Sequence, residues 1–245
     1  LDPVIGVGEL AISDHRSSQP GFDEFLRVAS EAHVAGLMSD KAGVLHLHLG
    51  DGVRGLELVR RALDETELPA RVFHPTHVNR RKALFEEALA LAKRGCTVDV
   101  PAFPVDDGED AWSAVEAWER YQASGAPPER LTISSDAGGC LPTFDHDGRL
   151  CKMEVGSAHA LLDTVRALLA RGHALERVLP AFTRNIARHL RLQGKGEIAV
   201  GVDADLVVLD AAGNVADVMA QGVWHLRDGE VLRAGLFENA QADRA

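Results

Sequence analysis

Short apolar runs alternate with longer amphipathic stretches along most of the chain. The apolar runs are rich in Val and Ile and predict five β-strands, at residues 4–8, 44–49, 71–75, 97–100 and 131–134. In the stretches between and after these runs, apolar residues recur every three or four positions, which is typical of amphipathic helices. The helices are predicted at residues 21–35, 55–63, 82–94, 111–121, 158–171 and 175–190. Strands that alternate with helices predict βαβ units and a parallel sheet.

The pattern changes after Gly194. Short apolar runs are then separated by Gly, Asp and Asn, and no helical period is visible. Such a texture predicts a second, all-β segment. We therefore expect two domains, at residues 1–192 and 193–245.

The number of predicted βα units is too small for a closed barrel. A (β/α)₈ barrel takes about 250 residues for its eight units and leaves no open sheet edge. Five units predict an α/β fold in the form of an incomplete TIM-type (β/α)₈ barrel, from which three units are missing. The chain also opens abruptly on the strand pattern of LDPVIGVGEL, so we expect it to be part of a longer polypeptide.

Composition and charge narrow the class of partner. The chain has 245 residues, of which 46% are hydrophobic and 26% charged, as is usual for a globular domain. A formal net charge of -11 disfavours nucleic acid and anionic membranes as partners, because like charges repel. The three cysteines include no CxxC pair, and no apolar run approaches the roughly 20 residues that span a bilayer. We expect a cytoplasmic protein that binds a small molecule or another protein.

Polar residues stand at the ends of four predicted strands. Glu9 follows the first strand, His48 lies at the end of the second, and His77 and Asp136 follow the third and the fifth. Because the carboxyl ends of the strands form the active-site face of an α/β barrel, these four side chains are expected to converge.

Imidazole nitrogens and carboxylate oxygens are suitable ligands for Zn²⁺ and similar cations, and one carboxylate can bridge two of them. A binuclear centre can activate water and polarise a scissile carbonyl. Each residue alone has a simpler explanation, since a single His is more often packed or hydrogen-bonded, and a single Asp more often caps a helix or forms a turn. Only the joint occurrence of the four residues favours a metal site.

Four motifs, in their order and spacing, resemble the amidohydrolase superfamily and in particular the metallo-type isoaspartyl (β-aspartyl) dipeptidases. They are VIGVGELAISDHRSSQP, HLGD, PTHVNR and SSDAGG. The later segment GKGEIAVGVDADLVVLD resembles the small β-sandwich domain that closes many amidohydrolases. The resemblance implies that the five strands are the fourth to the eighth of the barrel. It also implies that an HxH motif belongs on a barrel strand upstream of Leu1.

The same resemblance implies roles for the four polar residues. His48 and His77 would bind one metal, and Asp136 would bind the other and act as the general base. Glu9 stands where the dipeptidases have a carboxylated lysine that bridges the two metals, and a Glu carboxylate can also present two oxygens. The implied cofactors are two divalent metal ions, with Zn²⁺ expected.

Three further residues resemble the family's substrate-binding positions. Arg16 and Arg80 correspond to arginines that bind carboxylates, and guanidinium groups match carboxylates bidentately. Without the motif context, each could equally be a surface ion-pair residue. Cys140 stands in place of a serine that contacts substrate, and its thiol is a weaker hydrogen-bond donor.

The expected activity is hydrolysis of the isopeptide bond of β-aspartyl dipeptides, by a protein that forms a homo-oligomer. Two alternatives remain open at this point. One is another amidohydrolase reaction, on cyclic amides or N-acyl amino acids. The other is a non-catalytic remnant that binds metal or another subunit. The two arginines favour the dipeptidase, because its substrate carries two carboxylates.

Overall fold

The computed structural model describes residues 3–144, 147 and 149–235. The chain divides into two compact units, residues 1–191 and residues 192–245. In the described part of the chain, every helix is too short or too polar to cross a lipid bilayer.

The first unit contains five parallel β-strands. They are β1 (Gly6–Ile12), β2 (Val44–Leu49), β3 (Phe73–Thr76), β4 (Val98–Pro101) and β5 (Leu131–Ser134). Strands β1, β2 and β3 form one hydrogen-bonded sheet, and β4 and β5 form another. The helices α1 (Phe22–Ser39), α2 (Glu57–Glu65), α3 (Lys82–Lys93) and α4 (Ala114–Ala123) each follow one of the first four strands. The predicted alternation of strands and helices is therefore confirmed.

Buried and partly exposed side chains alternate along β2. Leu45, Leu47 and Leu49 are completely buried, whereas His46 and His48 are partly exposed. Successive side chains of a strand point to opposite faces. The leucines join the hydrophobic core with Phe25 of α1, and the histidines occupy the opposite face. One face of this strand thus stabilises the fold, and the other presents imidazole groups.

The first strand differs from its prediction. It begins at Gly6 and continues to Ile12, so Glu9 lies within β1 and not after its end. Residues Leu10 to Ile12 pair with Leu47 to Leu49 of β2, and the register shifts between Val7 and Leu10. The polar side chain of Glu9 led to the prediction that the strand ends before it. In the structure, the register shift accommodates Glu9, and β1 continues beyond this residue.

The predicted helix at residues 175–190 is also divided. After α5 (His159–Ala170), the chain forms α6 (Leu175–Val178), a 3₁₀ helix at Leu179–Phe182, and α7 (Arg184–His189). Pro180 lies in the 3₁₀ segment. Proline has no N–H and clashes with the preceding turn of an α-helix, which explains the interruption.

An antiparallel hairpin that the sequence did not predict follows β5. Its strands are β6 (Cys140–Phe144) and β7 (Leu150–Val155). The residues of β7 are all exposed, so the strand has no apolar run that marks a core strand.

The described residues of the second unit form strands and turns and contain no helix. Its strands are β8 (Leu206–Leu209), β9 (Val215–Ala220), β10 (Val223–Arg227) and β11 (Glu230–Val231). They form one antiparallel sheet in the order β11-β10-β9-β8.

Candidate metal and substrate site

A cleft of about 890 Å³ opens at the carboxyl ends of the parallel strands. All seven residues expected at the site line it: Glu9, Arg16, His48, His77, Arg80, Asp136 and Cys140. The structure thus brings these residues from separate strands and loops to one cleft of the first unit.

Glu9, His48 and His77 form a cluster of possible metal ligands in the cleft. Each offers one possible ligand atom, and these atoms lie within 4.8 Å of one another. The Glu9 carboxylate is 3.3 Å from Nδ1 of His48 and 3.9 Å from Nε2 of His77. Hydrogen bonds from His46 and His48 hold the pKa of Glu9 well below its usual range, although burial acts in the opposite direction. The carboxylate is therefore ionised and available as a ligand at neutral pH.

His77 has the features of a metal ligand, because it is buried and one of its ring nitrogens has no described hydrogen-bond partner. Its side chain is only 3% exposed, and burial lowers its pKa to about 3. The ring is therefore neutral, which is the form that binds metals. Among the described residues, no hydrogen-bond partner exists for its buried Nδ1 atom. One carboxylate and two imidazoles are a typical donor set for Zn²⁺. These residues fit a divalent cation.

Backbone geometry also marks His77 and Asp136. Their φ angles are 61° and 51°, in the left-handed region that L-residues with side chains rarely adopt. Such conformations cost on the order of 1–3 kcal/mol and cluster at functional sites. Both residues lie immediately after or near the end of a parallel strand, where the left-handed turn redirects the chain.

Asp136 lies in the cleft but outside the Glu9–His48–His77 cluster. Burial and the negative charge of Glu9 raise its pKa, whereas Arg80 and His48 lower it. A carboxyl group with a raised pKa is suited to accept and release a proton. Among the described residues, Asp136 belongs to no group of ligand atoms close enough to hold one ion.

Arg16 is held at the cleft by Asp14, a residue that was not predicted to belong to the site. Its guanidinium group donates two hydrogen bonds to Asp14, from Nε at 3.1 Å and from Nη2 at 2.8 Å. Asp14 is 3% exposed, and the bond to Arg16 holds the pKa of Asp14 well below its usual range. Asp14 therefore fixes the guanidinium and leaves Nη1 free of described protein partners. The Asp-x-Arg spacing in SDHRS is the feature of the sequence that could have indicated this ion pair.

Arg80 is held mainly by the backbone. Its Nη1 atom donates to the carbonyl oxygen of Leu49 at 3.0 Å and lies 3.5 Å from Nε2 of His48. Burial and the nearby charge of Arg16 lower its pKa. Two guanidinium groups thus affect each other electrostatically at the cleft, which favours a bound anion between or beside them.

A second group of possible ligands stands at the cleft wall: Asp14, His15 and Asp51. Its members already bind protein groups. His15 Nδ1 lies 2.9 Å from both carboxylate oxygens of Asp51, and Asp14 binds Arg16. We assign this group to the charged wall of the cleft, because its charges are balanced by ion pairs.

The unpredicted hairpin forms another part of the cleft wall. Cys140 on β6 and Lys152 and Glu154 on β7 all line the cleft. Lys152 and Glu154 form an ion pair at 2.7 Å. Alternate residues of a strand share one face. The charged residues at positions 152 and 154 are the feature of the sequence that could have indicated a strand here.

Residues 31–225 match the sequence profile of the amidohydrolase family. The chain belongs to this family. The resemblance seen in the sequence motifs is therefore confirmed, and the parallel strands are those of a TIM-type amidohydrolase barrel.

Two solved structures of β-aspartyl dipeptidase from Fervidobacterium islandicum AW-1 are similar to this amidohydrolase chain. One, in complex with β-Asp-Leu dipeptide, is 39% identical with a TM-score of 0.89, and the match covers 96% of this chain and 62% of that one. The other is 37% identical with a TM-score of 0.85, and the match covers 96% and 60%. This chain thus spans about three-fifths of the length of these relatives.

A more distant match concerns the fold alone. An amidohydrolase from Thermotoga maritima MSB8 is 16% identical with a TM-score of 0.53, and the match covers 84% of this chain and 53% of that one.

Gly139 allows the amidohydrolase hairpin to pack against Asp136. A Cβ atom at Gly139 would lie 2.5 Å from Oδ1 of Asp136. We expect Gly139→Ala to displace this carboxylate and to lower kcat for any reaction in which Asp136 takes part, because a shift of about 1 Å in a reacting group can cost 100-fold in rate. Steady-state kinetics would measure the loss. The matched control is Ala137→Ser, because Ala137 is an exposed neighbour of Asp136 that does not have a positive φ angle. An equal loss of kcat in both variants would contradict the role of the close approach.

Proposed function

We propose that the protein is a metal-dependent β-aspartyl dipeptidase, which hydrolyses the bond between the side-chain carbonyl of an aspartyl residue and the next amino acid. The observation that carries this proposal is the convergence of Glu9, His48 and His77 with two guanidinium groups in one cleft. The similarity to an enzyme whose structure contains β-Asp-Leu supports the same substrate class.

In this proposal, the protein binds two divalent metal ions, with Zn²⁺ expected. His48 and His77 would hold one ion and Asp136 the other, and the Glu9 carboxylate would be shared by both. When bound, the metal pair supplies Lewis-acid polarisation of the scissile carbonyl and an acidified water.

Asp136 is the proposed general base and acid. Its carboxylate accepts a proton from the attacking water and then delivers that proton to the nitrogen of the leaving amino group. A raised pKa suits both steps, because the carboxyl group must hold the proton between them.

The arginines are the proposed substrate-binding groups. A β-aspartyl dipeptide has two free carboxylates, one on the aspartyl α-carbon and one at the C-terminus. Arg16 and Arg80 would each bind one of them, and this double contact would orient the isopeptide carbonyl. Cys140 would contact the substrate from the hairpin as a weak hydrogen-bond donor.

The domain boundaries belong to the same proposal. Residues 1–192 would supply barrel strands four to eight, and residues 193–245 would supply part of a small β-sandwich. We further propose a cytoplasmic homo-oligomer that binds neither nucleic acid nor membranes, in line with the negative net charge of the chain.

The purified protein loaded with Zn²⁺ should release free aspartate and leucine from β-Asp-Leu, but not from α-Asp-Leu. The isomeric control has the same atoms and charges, so it tests recognition of the isopeptide bond itself. Turnover only of cyclic amides or N-acyl amino acids would assign the cleft to another amidohydrolase reaction. Tight metal binding without hydrolysis of any of these compounds would indicate a non-catalytic remnant.

Arg80→Met is expected to raise KM for β-Asp-Leu by about 10- to 100-fold, because a hydrogen bond to a charged group contributes about 1.5–3 kcal/mol. Arg80→Lys should recover only part of this loss, since lysine cannot bind a carboxylate bidentately. Arg81→Met is the matched control. Arg81 is the next residue, but it binds the backbone oxygen of Gly52 and does not line the cleft. An unchanged KM for Arg80→Met would refute the carboxylate-binding role.

A further inference from the structure

A line of polar side chains leads from Glu9 into the interior of the first unit. Nε2 of His46 lies 3.4 Å from Oε1 of Glu9, and Nδ1 of His46 lies 3.2 Å from Nδ1 of His74. Nε2 of His74 then contacts Oγ1 of Thr132 at 3.1 Å, and Thr132 donates to Oδ1 of Asp99 at 2.7 Å. We call His46, His74, Thr132 and Asp99 the buried line, although His46 at its outer end is partly exposed. Its members are absent from the described lining of the cleft.

The inner end of the buried line is firmly anchored. Asp99 is 3% exposed and accepts two further hydrogen bonds, from Thr76 at 2.7 Å and from Ser134 at 2.6 Å. A buried carboxyl group with three hydroxyl donors has few alternative positions, because any movement leaves polar atoms unpaired. Thr132 is therefore held in place from the interior side.

The buried line also crosses between two sheets. Glu9, His46 and His74 belong to the sheet of β1, β2 and β3, whereas Asp99 and Thr132 belong to the sheet of β4 and β5. Strands β3 and β4 are not neighbours in either hydrogen-bonded sheet. The contact between His74 and Thr132 therefore links strands that lack a backbone ladder between them.

His74 has little freedom to rotate. Burial lowers its pKa well below the usual range, so the neutral ring has one N–H and one lone pair. Each ring nitrogen faces one partner of the line. The ring of His189 also packs against it edge-on, with centroids 4.5 Å apart. A rotation of His74 would break both polar contacts.

We propose that His74 is a positioning residue for the metal site: it holds His46 against Glu9 and thereby fixes the carboxylate that the proposed function assigns to both metals. This inference rests on the proposed role of Glu9 as a ligand. The ring of His74 transmits the rigid position of Thr132 and Asp99 to His46. Groups that orient metal ligands in this way typically contribute 10- to 100-fold in metal affinity.

Three substitutions at position 74 separate this role from a general effect on packing. His74→Leu preserves an apolar volume and removes both polar contacts. His74→Asn places an amide near the position of Nδ1 and can still contact His46. His74→Gln places its amide near the position of Nε2 and can contact only Thr132. Metal affinity would be measured by competition between the purified protein and a chelator for Co²⁺, together with the visible absorption spectrum of the bound Co²⁺.

The expected result is a loss of Co²⁺ affinity of about 10- to 100-fold in His74→Leu, a similar loss in His74→Gln, and recovery in His74→Asn. The Co²⁺ spectrum should change in the first two variants and return in the third. Phe73→Leu is the matched control, because Phe73 is the adjacent buried residue and stacks on Phe25. It should lower Tm without changing the affinity or the spectrum.

Two results would overturn the inference. One is unchanged Co²⁺ affinity in His74→Leu, and the other is an equal loss in His74→Leu and His74→Asn. If the wild type binds metal and cleaves β-Asp-Leu, either result contradicts the positioning role alone. A wild type that fails to bind Co²⁺ contradicts the proposed metal site and overturns the inference with it.

Discussion

Glu9→Gln should reduce the affinity of the protein for divalent metal by more than the roughly 100-fold that marks the upper end for groups outside the coordination sphere. The substitution preserves the size of the side chain and removes its negative charge. Glu9 is the one carboxylate in the cluster with His48 and His77, so the remaining donors carry no negative charge. Metal content after dialysis, measured by atomic emission, and the Kd for Zn²⁺ would both report the change.

Glu109→Gln provides the matched control for this charge. Glu109 lines the same cleft, but it belongs to neither group of possible ligands. Both substitutions make the cleft less negative by one unit, so a general electrostatic effect would appear in both variants. Equal metal content in Glu9→Gln and in the wild type would remove Glu9 from the metal site.

Asp136→Asn is expected to lower kcat for β-Asp-Leu by about 100- to 10,000-fold, the usual contribution of a positioned general acid or base. The amide has nearly the same shape but cannot accept the proton of the attacking water. Because the Glu9–His48–His77 cluster is unchanged, the variant should retain the metal ion bound there. Stopped-flow and steady-state measurements of kcat, with metal content determined on the same sample, would separate lost chemistry from lost metal.

Asp106→Asn serves as the control for Asp136→Asn. Asp106 is an exposed carboxylate that also lines the cleft, and its substitution should leave kcat close to that of the wild type. If Asp136→Asn keeps wild-type kcat, the proton transfer belongs to another group. If the variant loses all bound metal, Asp136 also supports the ion assigned to His48 and His77.

Much of the fold could be predicted because local patterns determine it. The leucines of β2 alternate with its histidines, and that period of two gives both the strand and the face of the site. The motifs around His48, His77 and Asp136 likewise contain ligand types near strand ends, whereas Glu9 lies within β1. In these cases, the residues next to each position are sufficient to predict the strand and the face on which the side chain lies.

The remaining features depend on contacts between distant parts of the chain. Asp14 fixes Arg16, but its burial results from the packing of loops that follow different strands. His74 contacts Thr132, 58 residues away in the chain, and only the parallel arrangement of the strands brings the two together. The hairpin escaped prediction because the residues of β7 are exposed, so no hydrophobic alternation marks them.

The glycines beside Asp136 have a consequence for how the hairpin can vary. Surface hairpins generally tolerate insertions, since their backbone is exposed. Here Gly139 leaves room for the Asp136 carboxylate, and a Cβ atom at Gly156 would collide with the Asp136 backbone oxygen. Added residues or side chains at the base of the hairpin are therefore expected to displace the carboxylate of Asp136, the proposed general base. Engineering of new substrate preferences should alter β6 and β7 away from these two glycines and leave the base of the hairpin intact.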